Sequence, residues 1–193
     1  MILLSSFGLR SPIIAEKAKK HINPDDTKVL VVPFAGFNNQ ITANKEIKEG
    51  LIPFGFKTEN IYVCDLESPE SYKDILFDLI YVPGGNPFKL LSEVKQGKIL
   101  EWILELVNGG ADYFGVSSGA DLACSNIEYL RCVEDCDYTL GNYDALGLIK
   151  EKVLCHIEQR DMSTMQKVRD FDVKKTIFLR NDELYIIFES EEQ

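Results

Sequence analysis

At 193 residues the chain is the size of one domain, long enough to bury roughly 70% of its unfolded surface. Its 45% hydrophobic and 27% charged residues are a globular composition, and no apolar run approaches the roughly 20 residues of a membrane span. Twenty-one Lys and Arg against 31 Asp and Glu give a net charge of −10 and a pI near 4.7, a field that repels nucleic acid and anionic membrane surfaces.

The N-terminal run from Met1 to Gly8 is apolar but lacks a preceding basic region, so it reads as a first strand rather than a signal peptide, and the expected compartment is the cytoplasm. Short runs rich in Val, Ile and aromatics predict strands at Ile2–Ser5, Val29–Pro33, Ile61–Cys64, Leu79–Pro83 and Tyr113–Val116. Charged, roughly helical segments lie between them, around Ile13–His21, Ala43–Phe54, Tyr72–Phe77 and Ile99–Asn108. In the last of these Ile99, Trp102, Ile103 and Leu106 share one helix face, and Gly109-Gly110 ends it. Near-continuous apolar strands alternating with amphipathic helices imply a mostly parallel sheet covered on both faces, a three-layer α/β sandwich. Thr176–Leu179 and Leu184–Phe188, separated by Arg-Asn-Asp-Glu, read as a C-terminal β-hairpin at the sheet edge. There are no linkers or repeats, so residues 1–193 form one domain with a solvated acidic tail. Five scattered cysteines, Cys64, Cys124, Cys132, Cys136 and Cys155, suit neither a disulfide framework nor a zinc site, and no metal or cofactor is expected.

The chemistry concentrates at two glycine-rich turns that each follow a predicted strand. Such turns share the rim at the carboxyl ends of the strands, where open α/β sheets bind ligands. Gly115-Val116-Ser117-Ser118-Gly119 is a G-x-S-x-G pattern between a strand and a short helix from about Ala120. A sharp turn there projects the Ser117 hydroxyl outward and leaves the following N–H free for an oxyanion; the alternative is an ordinary helix-capping turn. The other turn, Gly84-Gly85-Asn86-Pro87, lets the backbone approach a ligand and offers the Gly85 N–H as a second donor, or simply starts a helix. A serine nucleophile needs a base, and the chain has two histidines. His21 sits at the charged end of a helix. His156 follows the apolar run Lys152–Cys155 and so belongs to the same rim as Ser117, as a catalytic base or as a structural histidine.

Leu30-Val-Val-Pro-Phe-Ala-Gly, the turn Gly84-Gly85-Asn86-x-Phe88-x-Leu90-Leu91, the elbow Gly115-x-Ser117-x-Gly119-Ala120 with Ala123-Cys124, and Tyr143-Asp-Ala-Leu before His156 together resemble the peptidase E family. The resemblance covers about four-fifths of the chain. It implies a flavodoxin-like fold of the class I glutamine-amidotransferase-like type, with Ser117 as nucleophile, His156 as base, and the Gly85 and Ser118 N–H groups as oxyanion hole, beside substrate-binding Gly84 and Asn86. Peptidase E removes an N-terminal aspartate from dipeptides and short peptides. The family's acid falls in the loop Leu130–Asp137: counting forward from Ser117 reaches Cys132, counting back from Asp144 reaches Glu134, which is the expected acid, with Asp135 next. The family's aspartate-binding arginine would fall at Thr164, leaving Arg160 as the candidate that reaches the pocket from another place, or, with Arg169, as a surface charge.

The expected function is therefore that of a cytoplasmic serine peptidase, monomeric or homodimeric, cleaving dipeptides or short peptides through a Ser-His-acid acyl-enzyme route. A hydrolase of another amide or ester, or a non-catalytic relative binding a metabolite at the same rim, are the alternatives.

Overall fold

The computed structural model describes residues 1–33, 39–65, 68–72, 74–134, 136–138 and 140–188. Five parallel strands, β1 (Ile2–Ser5), β2 (Val29–Val31), β3 (Ile61–Val63), β4 (Leu79–Val82) and β5 (Asp112–Val116), form a sheet with the antiparallel β8 (Leu184–Ile187), in the order β3-β2-β4-β5-β1-β8. All five strands predicted from apolar runs are present. They are apolar along their length because both faces are covered. Leu30, Ile80, Val82 and Leu4 face a core shared with α4 (Pro87–Gln96) and α5 (Ile99–Asn108). The intervening residues Leu3, Val29, Val31, Tyr81 and Phe114 face a second core with Ile14 and Ala18 of α1 (Pro12–Ala18) and with Leu51 and Phe54. The two-residue period of a strand thus sends alternate side chains to opposite layers, which gives the expected three-layer sandwich.

The helices follow from local signals. Asn86 caps α4, its Oδ1 accepting from the N–H groups of Phe88 (3.0 Å) and Lys89 (2.9 Å), with Pro87 in the first turn where no N–H is needed. In α5, Ile99, Ile103 and Val107 are buried while Trp102 and Leu106 stay half-buried, so the stripe is centred slightly off the predicted face. The segment predicted as Ala43–Phe54 is α2 (Asn39–Glu46), a π turn at Ile47–Leu51 and the short α3 (Ile52–Phe54), closed by Gly55 at φ 125°.

Two expectations need correction. The segment around Tyr72–Phe77 forms no helix among its described residues; a 3-10 turn ends at Tyr72, and Ile75 and Phe77 point inward from irregular chain. The C-terminal strands do not form a hairpin. β7 (Thr176–Phe178) pairs in parallel with β6 (Lys152–Leu154) in a separate two-stranded sheet, whereas β8 crosses to β1 of the main sheet. The turn between them, predicted as a simple reversal, is carried instead to the rim of the main sheet. Its position matters for the site.

The register places the carboxyl ends of three strands level, with Val82 opposite Gly115 and Ser5 opposite Val116. The chain leaving each of these ends supplies part of the site. Behind them, α6 (Ser118–Leu122) starts directly at the end of β5, and α7 (Met162–Asp170) packs beyond β6.

Candidate active site

Ser117 directly follows β5 with φ 52° and ψ −114°, a conformation rare for any residue but glycine and costing on the order of 1–3 kcal/mol. Its surroundings impose it. The Ser117 N–H donates to the Ser5 carbonyl (2.8 Å), and its own carbonyl accepts from Ala120 (2.8 Å) and Asp121 (3.1 Å), so strand and helix meet at this residue without a loop. The flanking glycines are there for clearance. A Cβ on Gly119 would run into the Val82 carbonyl, one on Gly115 into the Gly119 carbonyl, and one on Gly84 would stand 2.8 Å from the Ser117 Cβ. The G-x-S-x-G spacing is therefore a packing requirement of this turn as well as a chemical one.

His156 follows β6 in the left-handed region, φ 57° and ψ 43°. It is held there by the Ser6 hydroxyl, which accepts the His156 N–H at 3.1 Å and donates to the Leu179 carbonyl at 3.1 Å, while the Phe7 ring meets the imidazole edge-on at 5.1 Å. Nε2 lies 3.1 Å from the Ser117 hydroxyl oxygen and Nδ1 lies 2.9 Å from Asn181 Oδ1. An acceptor on Nδ1 fixes the hydrogen there and leaves the Nε2 lone pair facing the serine, the tautomer a general base requires. Asn181 sits in the β7–β8 turn. Its N–H donates to both oxygens of Glu158 (3.0 and 3.2 Å), and the next carbonyl, of Asp182, accepts from Lys17 Nζ at 2.9 Å.

Around this pair is a cleft of about 30 Å³ lined by Gly85, Ser118, Asp121, Glu134 and Arg160 among others. Gly85, at φ 154°, needs the glycine backbone, and its carbonyl accepts the Ser118 hydroxyl, which ties the two glycine turns together. The Gly85 and Ser118 N–H groups have no acceptor among the described residues. Arg160 Nη2 meets Glu134 Oε1 at 2.9 Å. Asp121, 6% exposed, has an Oδ1 with no hydrogen-bond partner among the described residues.

A model of peptidase family S51 matches residues 1–192. The chain belongs to peptidase family S51. It is 30% identical over 188 residues to the uncharacterized peptidase Lmo0363 of Listeria monocytogenes serovar 1/2a, covering 92% of this chain and 88% of that protein. Peptidase E of Salmonella arizonae is 34% identical over 131 residues, 66% of this chain and 54% of that enzyme, so the chain spans about half the length of that relative. In three dimensions it matches a Listeria monocytogenes EGD-e protein solved at 1.5 Å with a TM-score of 0.78, 24% identity and coverage of 98% and 95%. A peptidase from an acI-B1 actinobacterium follows at a TM-score of 0.63, with 20% identity and coverage of 92% and 78%. By family the chain is a serine peptidase, on the α/β fold read from its sequence.

Within this S51 chain the structure brings together Ser117, His156, Gly85, Ser118, Glu134 and Arg160. It does not put Glu134 on the imidazole: that carboxylate is paired with Arg160, and Asn181 occupies Nδ1. Asp135 lies outside the described residues. Gly84 packs under Ser117 and the Asn86 side chain is engaged in capping α4, so neither lines the cleft. Asn181 and Asp121 were missed. An asparagine in a turn carries no motif, and Asp121, one helical turn beyond the serine, has the spacing of an ordinary helix residue. The buried thiols play no comparable part. Burial pushes Cys64 and Cys124 up to about 12, and Cys155, beneath the elbow with its thiol directed at the Ser5 and Ser117 carbonyls, also stays protonated.

Burial raises the Asp121 carboxyl well above the usual carboxylate range, the nearby Glu134 pushes it further, and Arg160 opposes. The folded chain therefore holds a proton that the unfolded chain releases above its ordinary carboxylate pKa. Asp121 contributes stability fully at pH below that value, and the contribution declines as pH rises through the raised one. We expect Asp121→Asn to melt at a higher temperature than wild type at pH 8 and to show a flatter decline in Tm between pH 5 and pH 8, measured by circular dichroism. A melting curve for the variant no higher than wild type at pH 8 contradicts this.

Proposed function

We propose that this chain hydrolyses dipeptides or short peptides through an acyl-enzyme formed on Ser117. The observation that carries the proposal is the 3.1 Å approach of His156 Nε2 to a serine held at a strained strand-to-helix turn. The Ser117 O–H gives its proton to Nε2 as the oxygen attacks the peptide carbonyl, and the oxyanion so formed faces the Gly85 and Ser118 N–H groups. His156 then returns the proton to the leaving amine. Water, deprotonated by the same imidazole, attacks the ester and releases the acyl group with the serine restored. Two donors of this kind are each worth about 10²–10³ in kcat in other hydrolases.

Among the described residues the group on Nδ1, where a Ser-His-acid site has its acid, is Asn181. Asn181 orients the imidazole but carries no charge to stabilise the imidazolium, as in Cys-His-Asn peptidases. It is a positioning residue. Asn181→Ala is expected to lower kcat on the order of 10²-fold with little change in KM, less than the roughly 10⁴ lost on removing a charged triad member. Asn181→Asp should restore most of the rate. A carboxylate on Nδ1 favours the imidazolium, so the acidic limb of the kcat/KM profile should move to higher pH. Wild-type kcat in Asn181→Ala would remove the residue from the mechanism.

Free dipeptides are a cytoplasmic resource, and a location there is part of the proposal. Among the described residues no helix is long and apolar enough to cross a membrane. Cell fractionation with an antibody to the chain tests it, a membrane or exported fraction being the adverse result.

A further inference from the structure

Resting on the serine-peptidase reading above, we infer that the cleft beside Ser117 receives the protonated α-amino group of a peptide's first residue on Asp121 and Glu134, and that this first residue is uncharged rather than an aspartate.

The described residues of the cleft offer two carboxyl groups, Asp121 and Glu134, against one permanent cation, Arg160. Arg160 already has its Nη2 on Glu134 at 2.9 Å, so the pair is internally balanced. Asp121 is left over. It lies on α6 one turn beyond Ser117, is 6% exposed, and its Oδ1 has no partner among the described residues. A buried acceptor of this kind is costly until a donor reaches it, and a cationic donor is the one that also compensates its charge. The α-ammonium of a substrate is two bonds from the carbonyl carbon that Ser117 attacks, so a peptide with a free first residue must bring its cation into this cleft. A blocked amine brings none.

The cleft disfavours an acidic first side chain. Its carboxylate would be the third in the cleft, and the one guanidinium present is shared with Glu134. Arg160 Nε, also buried and without a partner, is a donor left for a neutral hydroxyl or amide oxygen, while the charge of the guanidinium is already met by Glu134. Glu134 thus determines specificity twice, as an acceptor for the ammonium and as the group that keeps Arg160 from a competing carboxylate. Burial favours the protonated form of Asp121 in the empty cleft; the arriving ammonium favours the carboxylate, and the displaced proton leaves to solvent.

The test measures kcat/KM by mass spectrometry for Ala-Leu, Ser-Leu, Asp-Leu and N-acetyl-Ala-Leu, in wild type and Glu134→Gln, with p-nitrophenyl acetate as a substrate that has no ammonium. Wild type should favour Ala-Leu and Ser-Leu over both Asp-Leu and the acetylated peptide by at least about tenfold, the worth of one charge-assisted hydrogen bond. Glu134→Gln releases Arg160, and the ratio of Asp-Leu to Ala-Leu should rise by about tenfold, mainly through KM. Preference of wild type for Asp-Leu, or equal cleavage of free and acetylated peptides, overturns the inference, and it does so whether or not the variant folds. If Ser117-dependent ester hydrolysis persists in that case, the serine-peptidase reading survives alone. If neither ester nor peptide is cleaved in a Ser117-dependent way, both fall.

Discussion

Ser117→Ala is expected to lower peptide hydrolysis by about 10⁴–10⁶-fold while the protein remains folded. The size follows from what is lost. Without the oxygen there is no acyl-enzyme, and the His156 imidazole and the oxyanion donors retain only the residual effect of binding and polarisation, about 10³–10⁴ over water. The fold should tolerate the change because Ser117 is held by its backbone, through the Ser5 carbonyl on one side and the first turn of α6 on the other, and Ala meets the same φ and ψ with a smaller side chain. The two readouts are the rate on dipeptides and the circular dichroism melting curve. A rate within tenfold of wild type would exclude Ser117 as nucleophile, because an alanine has nothing to replace it.

The second large effect is expected at His156. His156→Ala should cost about 10⁴–10⁶-fold in kcat, since the serine hydroxyl is a poor nucleophile without a base to accept its proton. The same substitution opens a space beside Phe7 and Asn181 that fits an imidazole ring, so added imidazole should recover part of the rate, with the recovery growing with concentration and with pH through the titration of free imidazole. This rescue separates a chemical role from a structural one, because a histidine needed only for the left-handed backbone at 156 would not be replaced by a free ring. Loss of activity with no rescue and an altered melting curve would support the structural role instead.

Much of this fold was written in the sequence. Strands buried on both faces must be apolar throughout, so β1 to β5 stood out, and their alternation with amphipathic segments fixed the layer order. Ser117 and the flanking glycines were legible because the elbow is a local object: its strain, its clearance from Val82 and its position after β5 all depend on residues close in sequence or on one neighbouring strand. His156 could be found because the chain holds only one other histidine. What could not be read is what the tertiary path decides. Whether Thr176–Phe178 and Leu184–Ile187 pair with each other or diverge depends on the edges offered by β6 and β1, and that choice brings Asn181 to the imidazole. Glu134 had the right charge near the expected place in the chain, and Arg160 claimed it. Tyr72–Phe77 read as a charged, roughly helical segment, yet Ile75 and Phe77 turn into the core from irregular chain.

The most direct test is to incubate the purified chain with a panel of free dipeptides carrying different first residues, beside Ser117→Ala, and to follow release of both amino acids by mass spectrometry. The account predicts that wild type releases the first residue from part of the panel and that Ser117→Ala releases it from none. Equal release by both proteins, or no release by either across the panel, would contradict it.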